Sequence, residues 1–167
     1  MTRKLATAIG TVLGVGYIRP ASGTWGSLVA LPWAWLLHIL GGWPLLVAGI
    51  VVVYAAGWWA TRVMTEGQDN HDPSEIVVDE VVGQWIALLP LSIGAANSGV
   101  SMLAMWPGWV AAFVLFRLFD IWKPWLVGWA DRRGDPFGVM VDDVIAGVFA
   151  AICVVLLAGL AHGVLMR

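Results

Sequence analysis

Long apolar runs alternate with short polar interruptions along this chain, and five of those runs have the length and texture of helices. The first, residues 25–40, is short for a membrane span and contains Pro32, so a kink or a partial crossing is expected. Gly41-Gly42 predicts a tight turn, and a second run follows over 43–64. The longest polar stretch, 65–74, leads into a third run over 75–96. Asn97-Ser98-Gly99 reads as a turn, and a fourth run covers 100–119. A second polar stretch, 120–141, separates it from a fifth run over 142–165. At about 20 residues per crossing, the pattern predicts an all-α polytopic bundle of four to five transmembrane or partly spanning segments. With no internal repeat or low-complexity tract, residues 1–167 are expected to form a single domain.

Composition strengthens the membrane reading. The chain is 60% hydrophobic and 12% charged, whereas soluble domains are about 45–50% apolar and about 25% charged. Many of the twelve tryptophans, among them Trp25, Trp43, Trp58, Trp59, Trp106 and Trp125, fall near segment ends, where interfacial anchors belong. The N-terminal stretch has two basic residues before an apolar run, as a signal peptide does. It is Gly-rich, however, and leads into RPASGTWGS rather than a small-residue cleavage site, so a retained interfacial helix is expected.

Charge placement adds an orientation. Every acidic residue lies between Glu66 and Asp143. If Arg3 and Lys4 are cytoplasmic and all five segments cross, both polar stretches, with Arg62, Arg117, Lys123, Arg132 and Arg133, fall on the cytoplasmic side, and only Arg167 lies opposite. A polar site at the cytoplasmic interface follows.

Several chemistries are excluded. No GxxxxGK[ST] occurs, so this is not a P-loop protein. The single cysteine, Cys153, sits in an apolar run without the downstream arginine of a cysteine phosphatase, and forms no disulfide framework. His38 and His162 lie in apolar runs and read as structural; His71 reads as a loop residue. No nucleic-acid partner is expected.

What remains is acidic. Asp79-Glu80 opens the third run and Asp142-Asp143 opens the fifth. Each ionised carboxylate at a helix centre costs roughly 2.5–3.5 kcal/mol, and less near the interface, so adjacent pairs need a cationic partner. Glu75 and Asp79, four apart, would share a helical face, with Glu80 turned about 100° away. Carboxylates converging from two helix ends suit Mg²⁺ or Mn²⁺, with Asp79, Glu80, Asp142, Asp143 and Glu75 as candidate ligands. The plainer alternative, acids favoured by helix N-terminal dipoles, explains one acid better than two doublets. In FRLFDIWKPW, Arg117 and Asp120 share a face and Lys123 precedes the helix-stopping Pro124. Cations beside carboxylates are what a phosphate group needs, although an intrahelical Arg117–Asp120 pair would explain them too. RPASGTWGS places Ser22, Gly23 and Thr24 at a helix start, where backbone N–H groups bind anions and where Ser22 or Thr24 would cap the helix.

Four blocks, RPASGTWGSLVALP, DPSEIVVDEVVGQWIALLP, FRLFDIWKPW and DRRGDPFGVMVDDVIAG, together resemble the phosphatidylglycerophosphatase A family. The resemblance implies an all-helical, Mg²⁺-dependent enzyme of the bacterial inner membrane that converts phosphatidylglycerol phosphate to phosphatidylglycerol and phosphate. On that reading Asp79, Glu80, Asp142 and Asp143 hold one or two Mg²⁺ ions, which polarise the terminal phosphate and an attacking water. Arg117, Lys123 and the loop of Ser22, Gly23 and Thr24 steady the phosphate, and Asp120 or Glu75 orients the water or adds a ligand. One of the acids acting as a covalent nucleophile is an alternative. Two rivals are a CDP-alcohol phosphotransferase, whose long Asp/Gly pattern is absent, and an ion- or proton-coupled transporter, against which the acids lie at one face rather than at mid-membrane.

Overall fold

The structure, a computed structural model, describes residues 1–68 and 73–165, with side chains through residue 163. His71 and Arg167 lie outside the described residues. The elements are α1 (Thr2–Gly10), α2 (Ser22–Thr65), α3 (Val78–Ser98), α4 (Trp106–Trp122), α5 (Leu126–Asp131) and α6 (Pro136–Leu165), with 3₁₀ turns at Val15–Tyr17 and Met102–Met105. No strand occurs among the described residues. Four helical stretches are long and apolar enough to cross a membrane: α2, α3, Met102–Trp122 and α6.

At 44 residues, α2 would be about twice as long as a bilayer core if straight. It is broken where the glycine pair predicts: Gly41 and Gly42 leave helical geometry, and Gly42 takes φ 67°, a region that favours glycine. The two arms fold back on each other, since a Cβ on Gly49 would lie 2.9 Å from Leu37 Cδ1. Pro32 does not end the first arm; no residue around it leaves helical geometry.

The central helix is α3, which packs against α2, α4 and α6. Its inward face carries Val81, Trp85, Leu88 and Leu91, which meet Ala112 and Phe116 of α4 and Ala146 and Ala150 of α6 in one buried cluster. Trp85 is tied by its indole N–H to the Ala30 carbonyl at 2.8 Å. Glycine sets the spacing of the three helices. A Cβ on Gly147 would sit 2.4 Å from the Gly83 carbonyl oxygen, and one on Gly83 would sit 2.4 Å from the Phe116 ring and 2.7 Å from the Asp143 carbonyl oxygen. The outer faces stay apolar and exposed, with Val51, Val52, Val155, Leu156 and Leu160 each more than half accessible. That is the surface a bilayer would cover.

Three boundaries differ from the pattern, and each matters for the site. The third helix begins at Val78, not at residue 75; Ser74 and Glu75 form a turn ahead of it. The fourth begins at Trp106, after the 3₁₀ turn. The second polar stretch is mostly helix: it contains the end of α4, all of α5 and the opening of α6. α6 starts early because Asp135 accepts the Gly138 N–H at 2.6 Å and Pro136 supplies a ready-made first φ. Polar residues on either side, Asp131 to Asp135 before it and Asp142-Asp143 after it, hid this short apolar start.

Candidate metal centre

Three helices deliver one carboxylate each to a common point. Glu80 comes from the first turn of α3, Asp120 from the last turn of α4, and Asp143 from about two turns inside α6. Each offers an oxygen that lies within 4.8 Å of the other two. Asp120 and Asp143 are buried. In both doublets the leading aspartate behaves alike: Asp79 Oδ1 accepts the Glu80 N–H at 2.9 Å, and Asp142 Oδ1 accepts the Asp143 N–H at 3.0 Å. A cavity of about 270 Å³ opens onto the group, lined by all five carboxylate residues together with Lys123, Ser22, Gly23 and Ser74.

Among the described residues two cations, Arg117 and Lys123, pair with acids of this group. Arg117 Nη1 pairs with Glu80 Oε2 and, at 2.7 Å, with Asp120 Oδ2. Ser27 adds a hydroxyl to Glu80 at 3.3 Å. Lys123 pairs with Asp131 and, at 3.0 Å, with Asp142. Lys123 leaves α4 in the left-handed region (φ 50°), and its side chain reaches across to Asp142, inside α6. Burial pulls its ammonium pKa down, but hydrogen bonds to Asp131 and Asp142 outweigh that and hold it above the usual lysine value. Among the described residues no cation pairs with Asp143. Buried carboxylates in such excess are costly without a further positive charge. The donor set is all hard oxygen, with no thiolate or imidazole in the group. It therefore fits a divalent cation of the Mg²⁺ class.

Of the residues singled out from sequence, Asp79, Glu80, Asp120, Lys123, Asp142, Asp143, Ser22 and Gly23 all line the cavity. The tightest group, however, takes one acid from each doublet and completes itself with Asp120. Adjacent helical residues point about 100° apart, and the leading acids Asp79 and Asp142 stand on the wall of the same cavity rather than in the three-oxygen group. Glu75 does not share a face with Asp79, because the helix starts after it, and it is not among the lining residues. Asp142-Asp143 does not open its helix, so the helix-dipole explanation fails for that pair. Arg117 does pair with Asp120 within its own helix, but it also reaches α3; it is not a lining residue, and neither is Thr24. Neither Ser22 nor Thr24 caps α2. Ala21 holds that position, and the Ser22 hydroxyl donates instead to the Ser74 carbonyl at 2.5 Å. Ser27 and Ser74 were missed; Ser27 lies in the RPASGTWGS block, which is the signal that could have found it.

Comparison with known proteins gives a consistent set of relatives. The model of the family described as Phosphatidylglycerophosphatase A matches residues 8–158. A phosphatidylglycerophosphatase A of Escherichia coli is 36% identical over 146 residues, covering 86% of this chain and 77% of the relative. One from Haemophilus influenzae is 37% identical, covering 84% and 81%. A Bacteroides thetaiotaomicron protein, provisionally named a phosphatidylinositol-3-phosphatase, is 41% identical, covering 90% and 91%. No solved structure gives a significant match. Neither the phosphotransferase nor the transporter reading is favoured by these relatives.

Proposed function

The chain belongs to the phosphatidylglycerophosphatase A family, and from that premise we propose that this membrane phosphatase removes the terminal phosphate of phosphatidylglycerol phosphate in a Mg²⁺-dependent hydrolysis at the cytoplasmic face of a bacterial inner membrane. The observation that carries the reading is the meeting of Glu80, Asp120 and Asp143, from three separate helices, in one oxygen-only group.

These three residues would hold Mg²⁺, which when bound neutralises a phosphate and makes a water more acidic. The protein's own groups do the rest. Arg117 fixes the Glu80 and Asp120 carboxylates through one shared nitrogen, Nη1, so it orients ligands rather than touching substrate. Lys123 stands on the cavity wall, where its ammonium can donate to a phosphate oxygen as charge moves to the leaving group. Asp79 and Asp142 complete the acidic wall. Gly23 keeps the α2 start close, since a Cβ there would fall 1.9 Å from Glu80 Oε1. The acyl chains remain in the bilayer while the headgroup reaches the site at interfacial depth.

The test is phosphate release from phosphatidylglycerol phosphate by purified protein, with and without Mg²⁺, beside Asp79→Asn and Asp143→Asn. Mg²⁺-dependent release that falls in both variants is expected. Equal release in a chelator would reject the metal assignment. The Bacteroides relative makes phosphatidylinositol 3-phosphate the comparison substrate, and faster turnover of it would replace the substrate while keeping the chemistry.

A further inference from the structure

Acidic and neutral groups share the cavity wall, Ser22 and Ser74 among the neutral ones. The two cations nearest the acids are already matched by carboxylates: Arg117 by Glu80 and Asp120, Lys123 by Asp131 and Asp142. Arg19 stands over that wall. Its Nη2 donates to Ser74 Oγ at 2.8 Å and its Nη1 to the Ser74 carbonyl at 3.4 Å, while the Ser22 hydroxyl donates to the same carbonyl at 2.5 Å. Among the described residues Arg19 makes no ion pair. It is exposed, and the clasp holds its guanidinium in one orientation while leaving further N–H donors of the fork uncommitted.

We propose that Arg19, held by Ser74, is a second anion subsite that grips the phosphodiester of the lipid substrate while the carboxylate cluster takes the terminal phosphate. This rests on the functional reading above, because only a headgroup with two phosphates uses both subsites. The physical need is plain. A cavity walled by five carboxylates repels a second phosphate, so the second anion requires a cation that no carboxylate has claimed. A guanidinium fixed in advance loses little freedom on binding and can offer two parallel bonds to one phosphate. Arg19 would thereby favour a lipid carrying a diester beyond its monoester over one that carries the monoester alone.

The subsite is tested by product inhibition, because the two products separate the two subsites. Phosphatidylglycerol keeps the diester and inorganic phosphate is the monoester fragment. In neutral-detergent micelles, Arg19→Ala should raise KM for phosphatidylglycerol phosphate and Ki for phosphatidylglycerol about 10- to 100-fold, the usual worth of charge-assisted hydrogen bonds. Ki for phosphate should move less than about threefold, since it reports the carboxylate cluster. Arg19→Lys, which keeps the charge and loses the fork, should fall between. A parallel rise in all three constants would mean that Arg19 only staples the loop, and would overturn the proposal. So would no rise, or noncompetitive inhibition by phosphatidylglycerol, which would place Arg19 on a neighbouring lipid headgroup. Wild-type protein inert towards phosphatidylglycerol phosphate would overturn the functional reading itself, a result visible before any variant is made.

Discussion

Asp79-Glu80 and Asp142-Asp143 share a local geometry: in each, the leading aspartate takes the backbone N–H behind it and the second acid joins the three-carboxylate group. Their surroundings differ. The first doublet lies in the opening turn of α3, and its inner acid, Glu80, is met by Arg117 and Ser27. The second lies inside α6, and its cation, Lys123, reaches only the outer acid; Asp143, 3% exposed, has no ion pair among the described residues. The inner acid of one doublet is paired with a cation of the protein, while that of the other has none among the described residues. On the proposed reading, this difference makes Asp143 the acid whose substitution should matter most for cation binding.

Removing that charge should have the largest effect. Asp143→Asn is expected to lower phosphate release by about a thousandfold or more and to abolish Mn²⁺ binding followed by electron paramagnetic resonance, while melting in detergent without metal stays level or improves, since an uncompensated buried charge is gone. Asp143→Asn that still bound Mn²⁺ at wild-type affinity would contradict the comparison.

The first doublet should respond in the opposite way. Arg117→Met leaves Glu80 and Asp120 without their cation and should cost about 3–5 kcal/mol of stability by denaturant melting. The double variant Arg117→Met, Glu80→Gln should recover much of that loss without recovering activity. If it recovered none, Arg117 would be acting through packing rather than charge.

Spacing comes next. Gly147→Ala pushes a methyl against the Gly83 carbonyl, 2.4 Å away, and should part α3 from α6. A shift of about 1 Å between the two doublets should cost roughly a hundredfold in kcat. Retention of full activity would show that the helices can part without disturbing the ligands.

Lys123→Met should be milder, lowering activity about tenfold by freeing Asp142 and α5. Because the folded pKa of Lys123 is raised, its contribution to stability is complete below the ordinary lysine value and is lost only as pH rises through the raised one. The stability gap between wild type and variant should therefore be flat from about pH 6 to pH 9.

The smallest effect belongs to Asp135→Ala, which removes the cap of α6 and should cost about 1 kcal/mol with little change in rate. The Arg133 guanidinium holds the Asp135 carboxyl below its usual range. Its contribution is present above the ordinary aspartate value and fades as pH falls through the lowered one, so the gap measured by thermal melting should shrink in acid.

Much of this was legible along the chain. The Gly41-Gly42 break, the turn closed by Gly99, the apolar helices and both acidic doublets follow from local rules about glycine, hydropathy and charge. The start of α6 was not, because the apolar turns that Asp135 and Pro136 open are only six residues long before Asp142-Asp143 interrupts them. Nor was the placing of Glu75 ahead of the helix and off the cavity wall, since a run of apolar residues does not reveal that the turn at Ser74 and Glu75 delays α3 to Val78.

By itself, then, the order of residues determined that this chain forms apolar helices suited to a membrane and confines its acids to the stretch from Glu66 to Asp143. Those properties depend on composition and on neighbours within a turn or two. Which acids meet, that Asp120 joins Glu80 and Asp143, and that Arg19 has no carboxylate partner among the described residues were decided only in the packed fold. The physical reason is that a carboxylate's direction depends on helix phase and on how closely glycines let the backbones approach, and neither is recorded in the spacing of acids along a single strand of sequence.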